Sequence, residues 1–154
     1  MDNCMIRYAL PEDYLQVETI MQQVQNLHVG WRPDIYKPCS PVMTQEHFDD
    51  LLAKQALLVA VYEGRIVGAL AYMERHVSSP TQVNRQVIFI DMMAVDEKYR
   101  HQGVGRQLFD HLKEIARSGH YDGIELQVNA RNADAYAMYR HYGFTEKSIN
   151  LELL

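Results

Sequence analysis

The segment Arg100-His101-Gln102-Gly103-Val104-Gly105-Arg106 joins basic side chains to two glycines at the start of a helical pattern. These ingredients suit an anion. Glycine permits close backbone approach and unusual φ/ψ, and a helix N-terminus carries roughly half a positive charge. Successive N–H groups can then converge on one point, and Arg100 and Arg106 add full charges. A pyrophosphate fits such a site. Two common nucleotide sites do not match. A dinucleotide fingerprint needs a third glycine where Leu108 stands, and glycines directly after the strand, whereas DEKYRHQ intervenes. The Gly-Lys-Ser/Thr of a phosphate-binding P-loop is missing from the chain.

Several elements must hold that segment in place. An apolar run, QVIFIDMMAV, precedes it and reads as a strand, apolar on both faces in its middle and therefore central. GVGRQLFDHLKEIARSGH follows as a helix with Val104, Leu108, Leu112, Ile115 and Ala116 on one side. YDGIELQVN is another strand, and NADAYAMYRHYGF a short helix stopped at Gly143. Upstream, CMIRYAL is a short strand. PEDYLQVETIMQQVQNLHV is a helix with Pro11 in its first turn and Glu12 and Asp13 near its positive end. GWRPDIYKPCSPV is a loop, and Thr44 caps a second helix reaching Leu52. ALLVAVY and RIVGALAYMERHV form a hairpin about Glu63-Gly64. SSPTQVNR is expected to be a polar turn, and FTEKSINLELL to supply one or two last strands. The order is that of an α/β domain in which a helix joins two parallel strands.

Bulk properties narrow the function. The 154 residues suit one domain, taken as 1–154, and 47% hydrophobic with 23% charged residues describes a globular chain. A formal net charge of −5 without a long basic block argues against nucleic acid as the main partner. Cys4 and Cys39 give neither a disulfide framework nor metal-ligand spacing, so no metal is expected. No run approaches the ~20 apolar residues of a membrane helix, and MDNCMIRYAL lacks the apolar core of a signal peptide. A cytoplasmic protein is the expectation.

The Arg/Gln-x-x-Gly-x-Gly/Ala pattern between strand and helix resembles the acetyl-CoA signature of the GNAT superfamily of N-acetyltransferases. Downstream, Asn132-Ala-Asp-Ala135-Tyr-Ala-Met-Tyr139-Arg-His-Tyr-Gly143-Phe144 is similar to that superfamily's second signature. Both stand in the right order, and the resemblance covers nearly the whole chain. It implies a mixed, mostly antiparallel sheet of six to seven strands, flanked by about four helices, with a splayed parallel strand pair for the cofactor. It implies acetyl-CoA as co-substrate and direct transfer of its acetyl group to a primary amine in a ternary complex.

The same resemblance assigns residues. Met93-Ala94-Val95 becomes the bulged strand end, the Met93 N–H meeting the acetyl carbonyl and Val95 pairing with pantetheine. The segment from Arg100 to Arg106 (with His101, Gln102, Gly103, Val104 and Gly105) becomes the pyrophosphate site. Asn132, Ala135 and Tyr139 share one helical face. Asn132 serves there as ligand, helix cap or both, and Ala135 leaves room for the cofactor. The Tyr139 phenol protonates the departing thiolate, while its neighbours Tyr136 and Tyr142 are assigned to packing. Asp91 interrupts an apolar run two residues before Met93. It is either the base for the amine or a structural acid, and the residues leave that open. Glu74, on the adjacent strand, is a second candidate that reads more simply as a solvated residue.

The acceptor is expected near LHVGWRPDIYKP, which offers His28, Trp31, Asp34 and Tyr36 as a lining suited to a cationic small-molecule amine. A proline-rich loop can equally serve only to cap the core. Two rival functions stay open: protein or peptide N-acetylation, and a non-catalytic module that binds acyl-CoA. A homodimer is a further possibility, with INLELL as a pairing strand.

Overall fold

A computed structural model describes residues 4–154. Five strands form one sheet in the order β1-β2-β3-β4-β5: β1 Met5–Tyr8, β2 Leu57–Tyr62, β3 Arg65–Ser79, β4 Gln82–Val95 and β5 Gly123–Leu126. The first three pairings are antiparallel, and β4 with β5 is parallel. Four α-helices flank the sheet: α1 Tyr14–Trp31, α2 Gln45–Ala53, α3 Val104–Ser118 and α4 Ala133–Tyr142. The crossover from β4 to β5 runs through α3, as a parallel pair requires.

Each face of the sheet has its own core. Val17, Ile20, Met21 and Phe48 of α1 and α2 pack with Leu57, Val59, Ala69 and Ala94 on one face. Leu108, Phe109 and Leu112 of α3 pack with Leu58, Leu70, Ile88 and Ile90 on the other. The helix caps follow the sequence. The Thr44 hydroxyl accepts from the His47 N–H at 3.1 Å, and Glu63 and Gly64, both at positive φ, make the β2–β3 turn. Asp13, 3% exposed, accepts from the Leu10 N–H at 2.8 Å and from both terminal nitrogens of Arg7. Those bonds fix the chain's entry into α1.

Two expectations need correction. SSPTQVNR is not a turn throughout: β3 runs on through Ser79 and β4 begins at Gln82, leaving Pro80 and Thr81 as the tip of a long hairpin. Backbone pairing carries the ladder through exposed polar residues that propensity alone reads as loop. The sheet also has five strands, not six to seven, because residues 145–154 contain none. Ile149, Leu151 and Leu153 alternate with polar residues, as in a strand, yet lie exposed. This segment makes no ladder with the described residues. Ion pairs tie it down instead, Lys147 with Glu125 at 3.0 Å and Arg32 with Glu152.

Candidate active site

The β4–β5 pair opens near its C-terminal end. Its ladder runs from Val87↔Gly123 to Ile90↔Leu126 and stops there. Between β3 and β4 the register passes from Tyr72↔Ile90 to Ala71↔Met92, so Asp91 is the extra residue of a β-bulge. A one-residue bulge reverses which side chains face which layer. Ile88 and Ile90 pack toward α3, and beyond the bulge Met93 and Val95 do so, while Met92 and Ala94 pack toward α1. The expected bulge at Met93-Ala94-Val95 therefore lies slightly earlier, at Asp91.

Backbone direction follows from one hydrogen bond. The Asp96 N–H donates to the Val67 carbonyl at 2.9 Å. Counting back by twos through Ala69↔Ala94 and Ala71↔Met92, the polar groups of Ala94 and Met92 also face β3. Met93 and Val95 turn theirs to the side that β5 has left. The Val95 carbonyl already accepts from Arg100 Nε at 3.1 Å. Arg100 thus fastens the end of β4.

Where the strands part, a cleft of about 260 Å³ opens, lined by residues of five segments. Met21, Val24, Gln25 and His28 come from α1, and Val42 from the following loop. Asp91, Met92 and Met93 come from β4, and Gln127, Val128 and Asn129 from the chain leaving β5. Asn132 and Tyr139 complete it at α4.

The glycine segment has two kinds of glycine. Gly103 is the N-cap of α3 at φ +85°, a left-handed conformation that glycine adopts without strain. His101 also has positive φ, 62°. The first-turn N–H groups of Val104, Gly105 and Arg106 therefore point out of a helix end without a capping side chain, the arrangement that anions use. Gly105 is needed for space. A Cβ there would lie 2.9 Å from Met138 Sδ and 3.1 Å from Met93 Cε, so it lets α4 and β4 close on α3. Val104, 1% exposed, offers only its backbone to a ligand. Its side chain rests on Gly68 of β3, where a Cβ would lie 2.9 Å from Val104 Cγ1. Gly68 seats α3 and was missed in the sequence, although glycine inside a strand is a recognised sign of close approach.

At α4 the Asn132 side chain accepts from the Ala135 N–H at 3.1 Å and also lines the cleft, so capping and lining coexist. Tyr139 packs against Phe109 and Phe144 with ring centroids 5.8 and 5.9 Å away. Burial pushes its phenol up to about 12. It stays a neutral donor across the physiological range. Tyr142 is a packing residue with its hydroxyl on Asp110, as expected. Tyr136 is not: it is exposed, with its hydroxyl on Glu146.

The acceptor-side residues separate. His28 reaches the cleft, stacked on Tyr36 at 4.8 Å and edge-on to Trp31 at 5.5 Å. Burial holds its pKa below the usual imidazole value. Both carboxylate oxygens of Asp34 are taken by Arg32, at 2.8 and 2.9 Å, which leaves Asp34 a structural partner rather than an ammonium ligand. Glu74 is outside the cleft and accepts from the Tyr121 hydroxyl. A ladder on α1 fixes the loop after it: Tyr14 donates to the Met43 carbonyl, Gln22 to Cys39 and Gln25 to Lys37, at 2.7–2.8 Å. Glu18 accepts from the N–H groups of Val42 and Met43 at 2.6 and 2.8 Å. The proline-rich loop is thereby laced to the helix. Gln127, Val128 and Asn129 were also missed in the sequence, since nothing in their residue types marks where β5 leaves the sheet.

Comparison with known proteins agrees with this geometry. The sequence model of the acetyltransferase (GNAT) family matches residues 21–144. The [Ribosomal protein bS18]-alanine N-acetyltransferase of Escherichia coli strain K12 is 38% identical over 69 residues, 45% of this chain. That stretch spans 47% of the relative, under half of its length. A Bacillus halodurans protein, crystallised as a mutant, superposes with a TM-score of 0.94 at 28% identity over 97% of this chain and 98% of its own. An aminoglycoside N-acetyltransferase crystallised with CoA superposes with a TM-score of 0.74 over 99% of this chain and 94% of its own. At 14% identity it speaks for the fold alone.

Proposed function

This chain belongs to the GNAT acetyltransferase family, and from that premise we propose that it moves the acetyl group of acetyl-CoA to a primary amine of a small molecule. One observation carries the reading. The bulge at Asp91 and the departure of β5 after Leu126 open a cleft that holds an acid, turned-out backbone amides and a buried phenol together, beside the N-terminus of α3.

Each part has a task. The first-turn amides of α3 and Arg106 receive the pyrophosphate, and pantetheine lies along the vacated edge of β4. The Met93 N–H is the donor for the acetyl oxygen, stabilising the charge that gathers there as the tetrahedral intermediate forms. Asp91 attracts the incoming ammonium and holds it beside the thioester. At pH 7 an alkylamine with a pKa of ~10.4 is neutral in only about one molecule in a few thousand, a deficit of roughly 4.6 kcal/mol. The neutral amine nitrogen attacks the thioester carbon, the C–N bond forms, and collapse breaks the C–S bond. The nitrogen releases its proton within the cleft, and the sulfur takes one from Tyr139, which solvent reprotonates. With Tyr139 at about 12 and a free thiol near ~8.5, that transfer is uphill by roughly 5 kcal/mol in water. Burial also raises the proton affinity of a thiolate, so the gap narrows inside the cleft.

A small acceptor is favoured over a peptide by the Arg32–Glu152 ion pair, which ties the segment after α1 to the chain end. The protein acceptor named for the E. coli relative keeps peptide N-acetylation as the second reading. Thiol release from acetyl-CoA, assayed against polyamines, amino acids, aminoglycosides and short peptides, separates them. A small amine is expected to be the best acceptor. Turnover of peptides alone would favour the second reading, and binding of acetyl-CoA without transfer to any amine would leave a non-catalytic module.

A further inference from the structure

The cleft contains a second polar group that the acetyl-transfer reading leaves unused. His28 sits in the last turns of α1, its ring stacked on Tyr36 and edge-on to Trp31. Those contacts govern its orientation. The ring nitrogens make no hydrogen bond with the described residues, and neither is sealed from solvent. The setting is rigid: the Arg32 N–H donates to the His28 carbonyl at 2.9 Å, and the Tyr36 N–H to the Arg32 carbonyl at 2.8 Å. Gln25, one turn back, holds Lys37. An imidazole fixed this firmly, yet with no hydrogen-bond partner among the described residues, is placed for a ligand.

We propose that His28 is the catalytic base that takes the proton from the acceptor amine, with Asp91 of the same cleft serving as the ammonium anchor. The proposal rests on the acetyl-transfer reading and assigns the proton within it. Tyr36 stacks on the imidazole, Asp91 and Tyr139 are the other titratable groups lining the cleft, and Asn129 and Asn132 line it uncharged. The charges of Arg32 and Asp34 are spent on each other and on Glu152. Two groups divide the work for a physical reason. A carboxylate attracts an ammonium but by the same attraction makes it harder to deprotonate, whereas a neutral imidazole gives the proton a destination without that penalty. Burial keeps His28 neutral near pH 7 and so ready to accept. In the step, the N–H bond of the attacking ammonium breaks and a bond to an imidazole nitrogen forms. The electron pair left on the amine makes the new C–N bond, and the imidazolium returns its proton to solvent.

Three proteins test this: wild type, His28→Gln and His28→Phe, with spermidine, kanamycin and a short peptide as acceptors and hydroxylamine, neutral at pH 7, as an acceptor that needs no base. Both variants are expected to lose about 100-fold in kcat with the alkylamines. They should keep the coenzyme A dissociation constant within about twofold and lose far less with hydroxylamine. The low-pH fall in wild-type kcat should vanish in both. Wild-type turnover in His28→Phe, which preserves the aromatic stack, would reduce His28 to packing and overturn the proposal. So would an equal loss with hydroxylamine. A wild type inert toward every acceptor would instead overturn acetyl transfer itself, a separate result.

Discussion

The two sides of the cleft are built by opposite means. The side proposed for the cofactor, from Met93 through the first turn of α3 to α4, is built through backbone: turned-out amides, a left-handed Gly103, and the close approaches at Gly68 and Gly105. The acceptor side, from α1 through residue 43 to Asp91, works through side chains, with Tyr14, Glu18, Gln22 and Gln25 holding a loop and Arg32 joining that loop to the chain end. Backbone sites suit a ligand part that stays the same, such as a pyrophosphate. Side-chain sites can be rebuilt for a different amine while the sheet is left unchanged.

This division predicts separable phenotypes. Where both ligands meet, Tyr139→Phe should lower kcat about 100-fold with little change in coenzyme A affinity. Steady-state rates and a coenzyme A titration check this, and unchanged turnover would remove Tyr139 as the acid. On the acceptor side, Glu18→Gln removes the charge that two N–H groups share and should cost about 1–3 kcal/mol, read by denaturant unfolding. It should raise the amine KM and leave coenzyme A binding alone. On the cofactor side, Gly103→Val places a β-branched residue at φ +85° and should weaken coenzyme A about tenfold, from ~1–2 kcal/mol of backbone strain. An unchanged dissociation constant would misplace the pyrophosphate.

The smallest effect concerns pH. Burial lowers the pKa of His28 in the folded state, so the unfolded chain binds its proton first on acidification. The stability this group contributes is complete above the ordinary imidazole value of ~6.5 and is lost as pH falls through the folded value. Melting temperatures between pH 7.5 and 5 should decline less in His28→Phe than in wild type.

The same division explains what could be read from sequence. Glycine leaves a mark wherever backbone does the work, so Gly103 and Gly105 pointed to the proposed anion site, and Asn132 and Tyr139 kept a readable register. Gly68 carried the same mark and was overlooked inside an apolar strand. Asp91 stood out because it breaks an apolar run, but its position at a bulge emerges only from pairing with β3. The acceptor side was far less legible. Asp34 looked like an ammonium ligand until Arg32 was seen to occupy both oxygens, and Glu74, a second candidate for the base, lies outside the cleft with Tyr121 on it. The last strands failed because INLELL has the alternation of a strand while only a neighbour can supply a ladder.

The central claim is direct transfer in a ternary complex, and the initial-rate pattern tests it most directly. Acetyl-CoA is varied at several fixed concentrations of the best amine, with free thiol as the readout. Direct attack predicts thiol release that depends on the amine, with double-reciprocal lines that intersect. Parallel lines, or thiol release indifferent to every amine, would contradict it.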